Sequence, residues 1–540
     1  MRNTITTVAL GLTLLCACVA VAGEPSRLAV SVCRAGSEQP LPCRAWVVRG
    51  GMRLYVPTAG RCAVYDRDSS FACDGVFVME LPPGPAVVHV ERGKEYVPVD
   101  VPVDIKPGLT ASIRIEPRRW VDMPAEGWYS ADLHCHYGVG DEGALRLIAL
   151  ADDVHFQPVL TLWNHQRREP VTDWPQWEHE GVVAADTRHI VSFRNQEIER
   201  IGGGSFESVG ALLMFGLAKP VVIPTGDSRY PCDAVLAAQA KASSPRCIID
   251  TDKPIWAENV VTMAFGLFDS VQVCHNHYHR QATLQLGWGM AGSDIEDEQK
   301  DWGPDELFVR TNSTYYRFLN CGFKLAATGG SAMGVMPVPL GYSRTYARLE
   351  GPLTEASYLD AIRRGCTFAT SGPMLILTGD GRDCGSELPY EGKPIELQAR
   401  LRSIESIDRL EFIVNGRVAQ TMSLQDRTPS PVLDITAEYA WTPERSGWAA
   451  ARAIYGGPEG RLRQAHTSPV YATVDGRPTA SKRDAEFMIR WIDRLKEVAR
   501  QPGRYESTRQ RQEVLEKFEQ AGNVYEDIAR KAVQFWGDDS

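Results

Sequence analysis

The sequence predicts a multidomain chain of mixed class: a central α/β domain, an all-β sandwich on either side of it, and a C-terminal helical hairpin. Three observations carry this. The chain has 540 residues, more than one hydrophobic core organises, so three or four domains are expected. Near residue 119 short β-like runs give way to apolar runs alternating with helix-like segments, and after about residue 375 the β pattern returns. From Ser481 the periodicity is helical throughout.

Hydrophobic content of 44% and charged content of 23% suit a globular chain. The net charge of −10 is spread without long blocks, and no clustered basic face points to nucleic acid. Residues 1–22 read as an export signal: Arg2, an apolar run from Val8 to Val21, and a small-x-small site at Ala20-Val-Ala22. Leu15-Cys-Ala-Cys18 also loosely fits a lipobox, with Cys18 acylated. The expected location is periplasmic or secreted. No later stretch is apolar enough to cross a membrane. For an exported chain the close cysteine pairs Cys33/Cys43, Cys62/Cys73 and Cys232/Cys247 are disulfide candidates.

Residues 23–118 read as an antiparallel sandwich. Runs at Leu28–Val32, Ala45–Val48, Val76–Leu81, Ala86–Val90 and Ala111–Ile115 are Val/Ile-rich, and clusters such as Pro82-Pro-Gly-Pro separate them. Residues 119–378 form the α/β unit. Leu145, Leu147, Ile148 and Ala151 lie at helical spacing after Asp141, and strand candidates follow at Gln157–Trp163, Ile190–Phe193, Gly210–Phe215, Cys247–Ile249, Ser270–Val273 and Phe323–Ala327. Residues 379–476 read as a second sandwich, with Asn415-Gly416 as a hairpin turn. In residues 477–540 two apolar stripes, Phe487 to Val498 and Val514 to Ile528, flank a break at Pro502-Gly503.

The ends of the central strand candidates concentrate ligand-type residues. The first ends in Asp132-Leu-His134-Cys-His136, followed by Asp141. Residues i and i+2 of a strand share a face, so two imidazoles lie side by side while Cys135 points into the core. The next ends in Asn164-His165, the third in Asn195-Gln-Glu197-Ile-Glu199, and a later one runs into His275-Asn-His277-Tyr-His279. If that run stays extended, its histidines share one face. Six of the 11 histidines thus fall at three strand ends. Imidazole with carboxylate suits zinc, manganese or iron, and such an ion can make a nucleophile of bound water. Trp163, Trp174, Trp177, Trp256, Trp288, Trp302, Tyr315 and Tyr316 cluster in the same region and could either stack on a small-molecule or carbohydrate-like substrate or cap the domain. Arg344 could clamp an anion or serve the fold. A phosphate-cradling loop and a Gly-x-Ser-x-Gly elbow are both lacking.

The stretch from about 119 to 378 resembles the polymerase and histidinol phosphatase (PHP) superfamily, in particular its CehA/McbA-type metallohydrolases. The resemblance rests on Gly127-Trp-Tyr-Ser-Ala-Asp-Leu-His-Cys-His136, Leu162-Trp-Asn-His165, Asn195-Gln-Glu197 and Thr370-Ser-Gly-Pro373. It implies a distorted seven-stranded β/α barrel with metals at its C-terminal mouth. His134, His136, Asp141, His165 and Glu197 would be ligands, with Glu197 bridging. Lys253-Pro254 stands where the family has His-Pro, Gly330-Ser-Ala332-Met-Gly334 lacks two usual ligands, and Asn164 replaces an aspartate. One or two ions are therefore expected rather than three, with His275, His277 and Asp252 as replacements and Lys253 as an alternative built-in cation. Two functions follow: an exported hydrolase of ester, amide, carbamate or phosphoester bonds, or a non-catalytic descendant that binds a ligand.

Overall fold

The computed structural model describes residues 25–136, 141–163, 171–177, 179–200, 209–223, 229–280, 283–284, 305–456 and 462–537. The expected export signal with Cys18, and likewise His165, Trp288 and Trp302, lie outside these. The described residues form a mixed α/β structure dominated by strands.

The N-terminal unit is a sandwich of two sheets. Arg27–Val32 pairs with Val76–Glu80 and with Thr110–Ile115. Facing it is a six-stranded sheet built around Cys43–Arg49, Ser70–Cys73 and Gly84–Glu91. Alternation explains the packing: Leu28, Val30 and Val32 point inward from the first sheet and meet Val47, Phe71 and Val88 from the second. The pairing of Arg27–Val32 with Thr110–Ile115 is parallel, so the sheet is not the purely antiparallel one expected.

In the central sheet, Trp128–Ala131, Phe156–Trp163 and Ile190–Arg200 run parallel. Gly210–Phe215 runs against its neighbours, and Ile248–Thr251, Ser270–Cys274 and Ala326–Gly329 restore the first direction. Six strands therefore point their carboxyl ends the same way, the edge where open α/β sheets carry their sites. A closed seven-stranded barrel is not formed among the described residues. The sheet instead continues from Trp128–Ala131 through Arg344–Arg348 and Thr367–Thr370 into Leu462–Thr467. The ladder passes outward from Arg344–Arg348 to Thr367–Thr370, and Ala326–Gly329 meets the first strand only through local contacts such as Leu133 N to Gly329 O at 3.4 Å.

This continuation also changes the C-terminal sandwich. One of its layers, with Arg409–Val414, Gly447–Gly456 and Leu462–Thr467, belongs to the same sheet as the central strands; the other is Met374–Gly379, Ile395–Ser403 and Leu433–Trp441. Asn415 and Gly416, at φ 48 and 81, form the expected two-residue turn. The C-terminal helical pair is present as Lys482–Ala499 and Thr508–Trp536, capped by Ser481 and Ser507. Its stripe, including Met488, Trp491, Ile492, Phe518 and Tyr525, joins the core beneath the central helices. No helix among the described residues is long and apolar enough to cross a membrane.

No disulfide joins any of the eleven described cysteines. Cys232 and Cys247 flank the 11-residue helix Asp233–Ser243. A helix of that length spans roughly 16 Å, far beyond the reach of a disulfide. In the N-terminal sandwich Cys73 is the cross-strand partner of both Cys43 and Cys62, and its Sγ lies 3.5 Å from that of Cys43. Register across the sheet, not closeness in sequence, brings these thiols together.

Candidate metal centre

The strand Trp128–Ala131 ends just before the histidines, but the backbone stays extended because Cys135 bridges to Val159 on one side and Met333 on the other. Cys135 is fully buried against Leu147 and Ile148, as expected, so His134 and His136 face the carboxyl edge together. Asp132 fixes this segment. Its carboxylate accepts hydrogen bonds from the backbone of His134 at 3.0 Å, of Ser331 at 2.8 Å and of Gly341 at 2.7 Å, and from the Ser331 hydroxyl. Gly330 packs against the same turn, where a Cβ would lie 2.5 Å from that of His134. Ala332 in that loop holds φ at 53, a conformation uncommon outside glycine.

Phe156–Trp163 and Ile190–Arg200 are paired so that Trp163 sits opposite Glu197. Glu197 is thereby placed with its Oε2 3.1 Å from His136 Nε2 and 3.7 Å from His134 Nε2, and the two Nε2 atoms are 2.8 Å apart. Donors held 2.0–2.1 Å from a tetrahedral ion are roughly 3.3 Å apart, so these spacings bracket what one ion needs. Glu197 is 1% exposed and its Oε2 accepts no hydrogen bond. Burial, reinforced by Glu199 and Asp252, drives its carboxyl well above the usual range. A cation between these three side chains would remove that penalty. Buried His, Asp and Glu side chains of this chain could thus hold a metal ion.

Behind this group stands Asp252, just past the strand Ile248–Thr251. Its Oδ1 faces His134 Nδ1 at 3.2 Å, and Oδ2 accepts from the Lys253 ammonium and, at 3.3 Å, from Trp256 Nε1. Burial alone would raise Asp252, but Lys253 and His134 hold it well below its ordinary value. Lys253 is itself 3% exposed, so it is not a surface lysine. Trp163 covers the other flank: its ring lies 4.6 Å from that of His136 and its Nε1 donates to Glu199 at 2.9 Å.

The remaining expected ligands go elsewhere. Asp141 caps the helix Glu142–Ala151, its side chain accepting from Ala144, and is exposed. The strand before His275 ends at Cys274, and the chain turns at once, with Tyr278 N donating to His275 O at 3.2 Å. The alternation expected for an extended His-Asn-His run is lost. His275 Nε2 pairs with Thr311 Oγ1 at 3.2 Å and its Nδ1 accepts from the His277 backbone at 3.3 Å, so neither nitrogen is left for an ion. His277 is buried, pushed down to about 3 by burial and by the Lys253 charge, and lies outside the His134 group. The aromatic cluster divides as well. Tyr315 and Tyr316 belong to the core under the helices, with Trp174 packed against it; Trp177 packs on a separate cluster, Trp256 joins another while its Nε1 reaches Asp252, and Trp163 lies beside the histidines.

A second group joins Asp153 and His155, two residues apart in the chain, to the distant His189, which no local pattern links to them. Asp153 receives Arg92 at 2.9 Å on one oxygen and Arg119 at 3.0 Å on the other, while His189 bridges Asp153 and Asp186. Two guanidinium groups already supply the positive charge, so this is an ion-pair network joining the N-terminal sandwich to the central domain. No family model, no curated protein and no solved structure matches this chain.

Proposed function

We propose that the chain is a metal-dependent hydrolase of ester, amide, carbamate or phosphoester bonds, of the PHP type its central motifs resemble, acting outside the cytoplasm. The observation that carries this reading is the convergence of His134, His136 and Glu197 at donor spacing, with a buried glutamate oxygen that no proton donor serves. These three residues would hold one zinc, manganese or iron ion. When bound, such an ion lowers the pKa of a coordinated water and polarises the bond to be cleaved. Asp252 orients His134 from behind, as carboxylates behind metal-binding histidines do. Lys253 keeps Asp252 ionised, and Trp163 excludes water from one side of His136.

The reading is tested by metal analysis of the purified protein together with turnover of aryl ester and aryl phosphoester probes. About one equivalent of metal is expected, removed by chelator and absent from His136→Ala, with activity following metal content. A protein that takes up no metal from supplemented medium and is indifferent to chelator overturns it. The engagement of both nitrogens of His275 favours a second reading, a metal-holding protein without turnover; bound metal with no hydrolysis across the probe panel would select it.

A further inference from the structure

A separate cavity of about 160 Å³ lies where the N-terminal sandwich, the central domain and the C-terminal sandwich meet. Lys94, Tyr342, Arg344, Glu405 and Arg463 are among its walls, whereas none of His134, His136, Glu197, Asp252 or Lys253 lines it. Domain junctions are favoured places for ligand sites. The volume is roughly that of five waters, which suits a small ion and excludes a polymer.

Its charges are arranged unusually. Lys94 Nζ donates to the carbonyl of Ser371 at 2.9 Å, and Arg463 donates to that same oxygen at 3.0 Å. Both cations also face one ring, with Lys94 4.4 Å and Arg463 5.1 Å from the centroid of Tyr342. Arg463 has Glu405 at 3.4 Å, and Arg280, which also lines the cavity, is held by Glu91 at 2.9 Å. Lys94 and Arg344 pair with no carboxylate among the described residues. Arg344, 1% exposed, donates only to the backbone carbonyls of Gly341, Asp152 and Asp153. Holding cations away from water without counter-ions is costly, and here a partly buried lysine and a buried arginine line one cavity. Burial and the repulsion of Arg463 and Arg344 push the Lys94 ammonium well below its ordinary value.

We infer that this cavity is a binding site for a small oxyanion, a carboxylate or phosphate group held by Lys94 and Arg463 above Tyr342 with Arg344 behind. The ligand would replace the missing counter-charge and, by touching all three units at once, fasten them together. The inference does not depend on the metal-centre reading.

The test is thermal melting and titration calorimetry of the full chain with sodium phosphate, sulfate or acetate against chloride at matched ionic strength. Saturable stabilisation by at least one oxyanion is expected. A response to phosphate and sulfate alone marks a tetrahedral oxyanion, and one that includes acetate admits carboxylates. In Lys94→Met and Arg463→Met the affinity should weaken about tenfold or more, since each removes a charged hydrogen-bond donor. His136→Ala should keep the full response, which separates this site from any anion at the metal centre. Lys94→Met should also melt above the wild type in chloride, because it removes an unbalanced charge. Oxyanions that stabilise no more than chloride, variants that respond like the wild type, or a Lys94→Met protein that melts lower in chloride would each overturn the inference.

Discussion

Nδ1 of His134 lies 3.2 Å from Oδ1 of Asp252, and both side chains are buried. This is an ion-pair contact rather than an aligned hydrogen bond, and a carboxylate beside Nδ1 favours the ring orientation in which Nε2 turns toward His136 and Glu197. Asp252 can do this only while ionised, and the Lys253 ammonium on its other oxygen ensures that. The three residues form a relay of charge from Lys253 through Asp252 to the imidazole.

Breaking the relay should have two separable effects. Asp252→Asn should lower metal affinity by 10- to 100-fold, the usual result of removing a carboxylate behind a ligand histidine. It should also cost about 3–5 kcal/mol, because it strands a buried ammonium. In the double variant Asp252→Asn, Lys253→Met, most of the stability should return and the metal affinity should not. Denaturant unfolding and metal titration on the three proteins check this. Recovery of both properties together would mean that Asp252 acts only through Lys253.

Gly330 offers an independent handle on the same histidine. An added Cβ would lie 2.5 Å from the His134 Cβ and 2.7 Å from its backbone nitrogen, so one of the two segments must move. Gly330→Ala should destabilise the chain by about 1–3 kcal/mol, as overpacking does. It should also weaken metal binding without touching a donor atom. A Gly330→Ala protein with wild-type metal affinity would show that the loop, not His134, gives way.

The sequence carried the parts of the site that are local. His134 and His136 stand two residues apart, and a strand puts such residues on one face. Glu197 was visible as a carboxylate at a strand end. Lys253 and Asp252 were visible as residues, but the ion pair of Asp252 with His134 joins positions far apart in the chain and no period encodes it. His275 and His277 misled because the alternation rule holds only while a strand continues, and this one turns at Cys274. Short strands such as Met52–Leu54 and Cys62–Tyr65 contain too few residues for a pattern. The unclosed sheet was hidden for a related reason: nothing in Arg344–Arg348 says which neighbour its edge will choose.

The thiols of the N-terminal sandwich give a further test. Cys43 and Cys73 are opposite one another and buried, with sulfurs 3.5 Å apart. Mild oxidation followed by peptide mapping should join Cys43 to Cys73, with Cys62 as the competing partner through its own register with Cys73. Cys232 and Cys247 should stay reduced, since a helix separates them. A Cys33–Cys43 link as the main product would contradict the register.

His466 contributes to the behaviour in acid. It is buried between the central helix Glu306–Asn320 and the C-terminal sandwich, with Nδ1 2.8 Å from the Thr467 carbonyl and Nε2 2.7 Å from the Tyr316 hydroxyl. The carbonyl can only accept, so Nδ1 carries the proton and Nε2 accepts from Tyr316; the ring is neutral. Burial pushes its pKa down to about 3, against the ordinary histidine value near 6.5. Between those values the unfolded chain binds a proton that the folded chain refuses, so stability falls as pH drops below about 6.5. The full effect of one such group is about 1.4 kcal/mol per pH unit, or roughly 2 kcal/mol between pH 6.5 and 5. His155, His275, His277 and His279 are pushed down by burial as well and contribute with the same sign, which is why a variant is needed to isolate His466. Gln keeps one donor and one acceptor but cannot titrate. His466→Gln should therefore be less stable than the wild type at pH 7 and lose less on going to pH 5, by about one histidine's share, in denaturant unfolding at the two pH values. Parallel losses in the two proteins would show that His466 titrates normally in the fold.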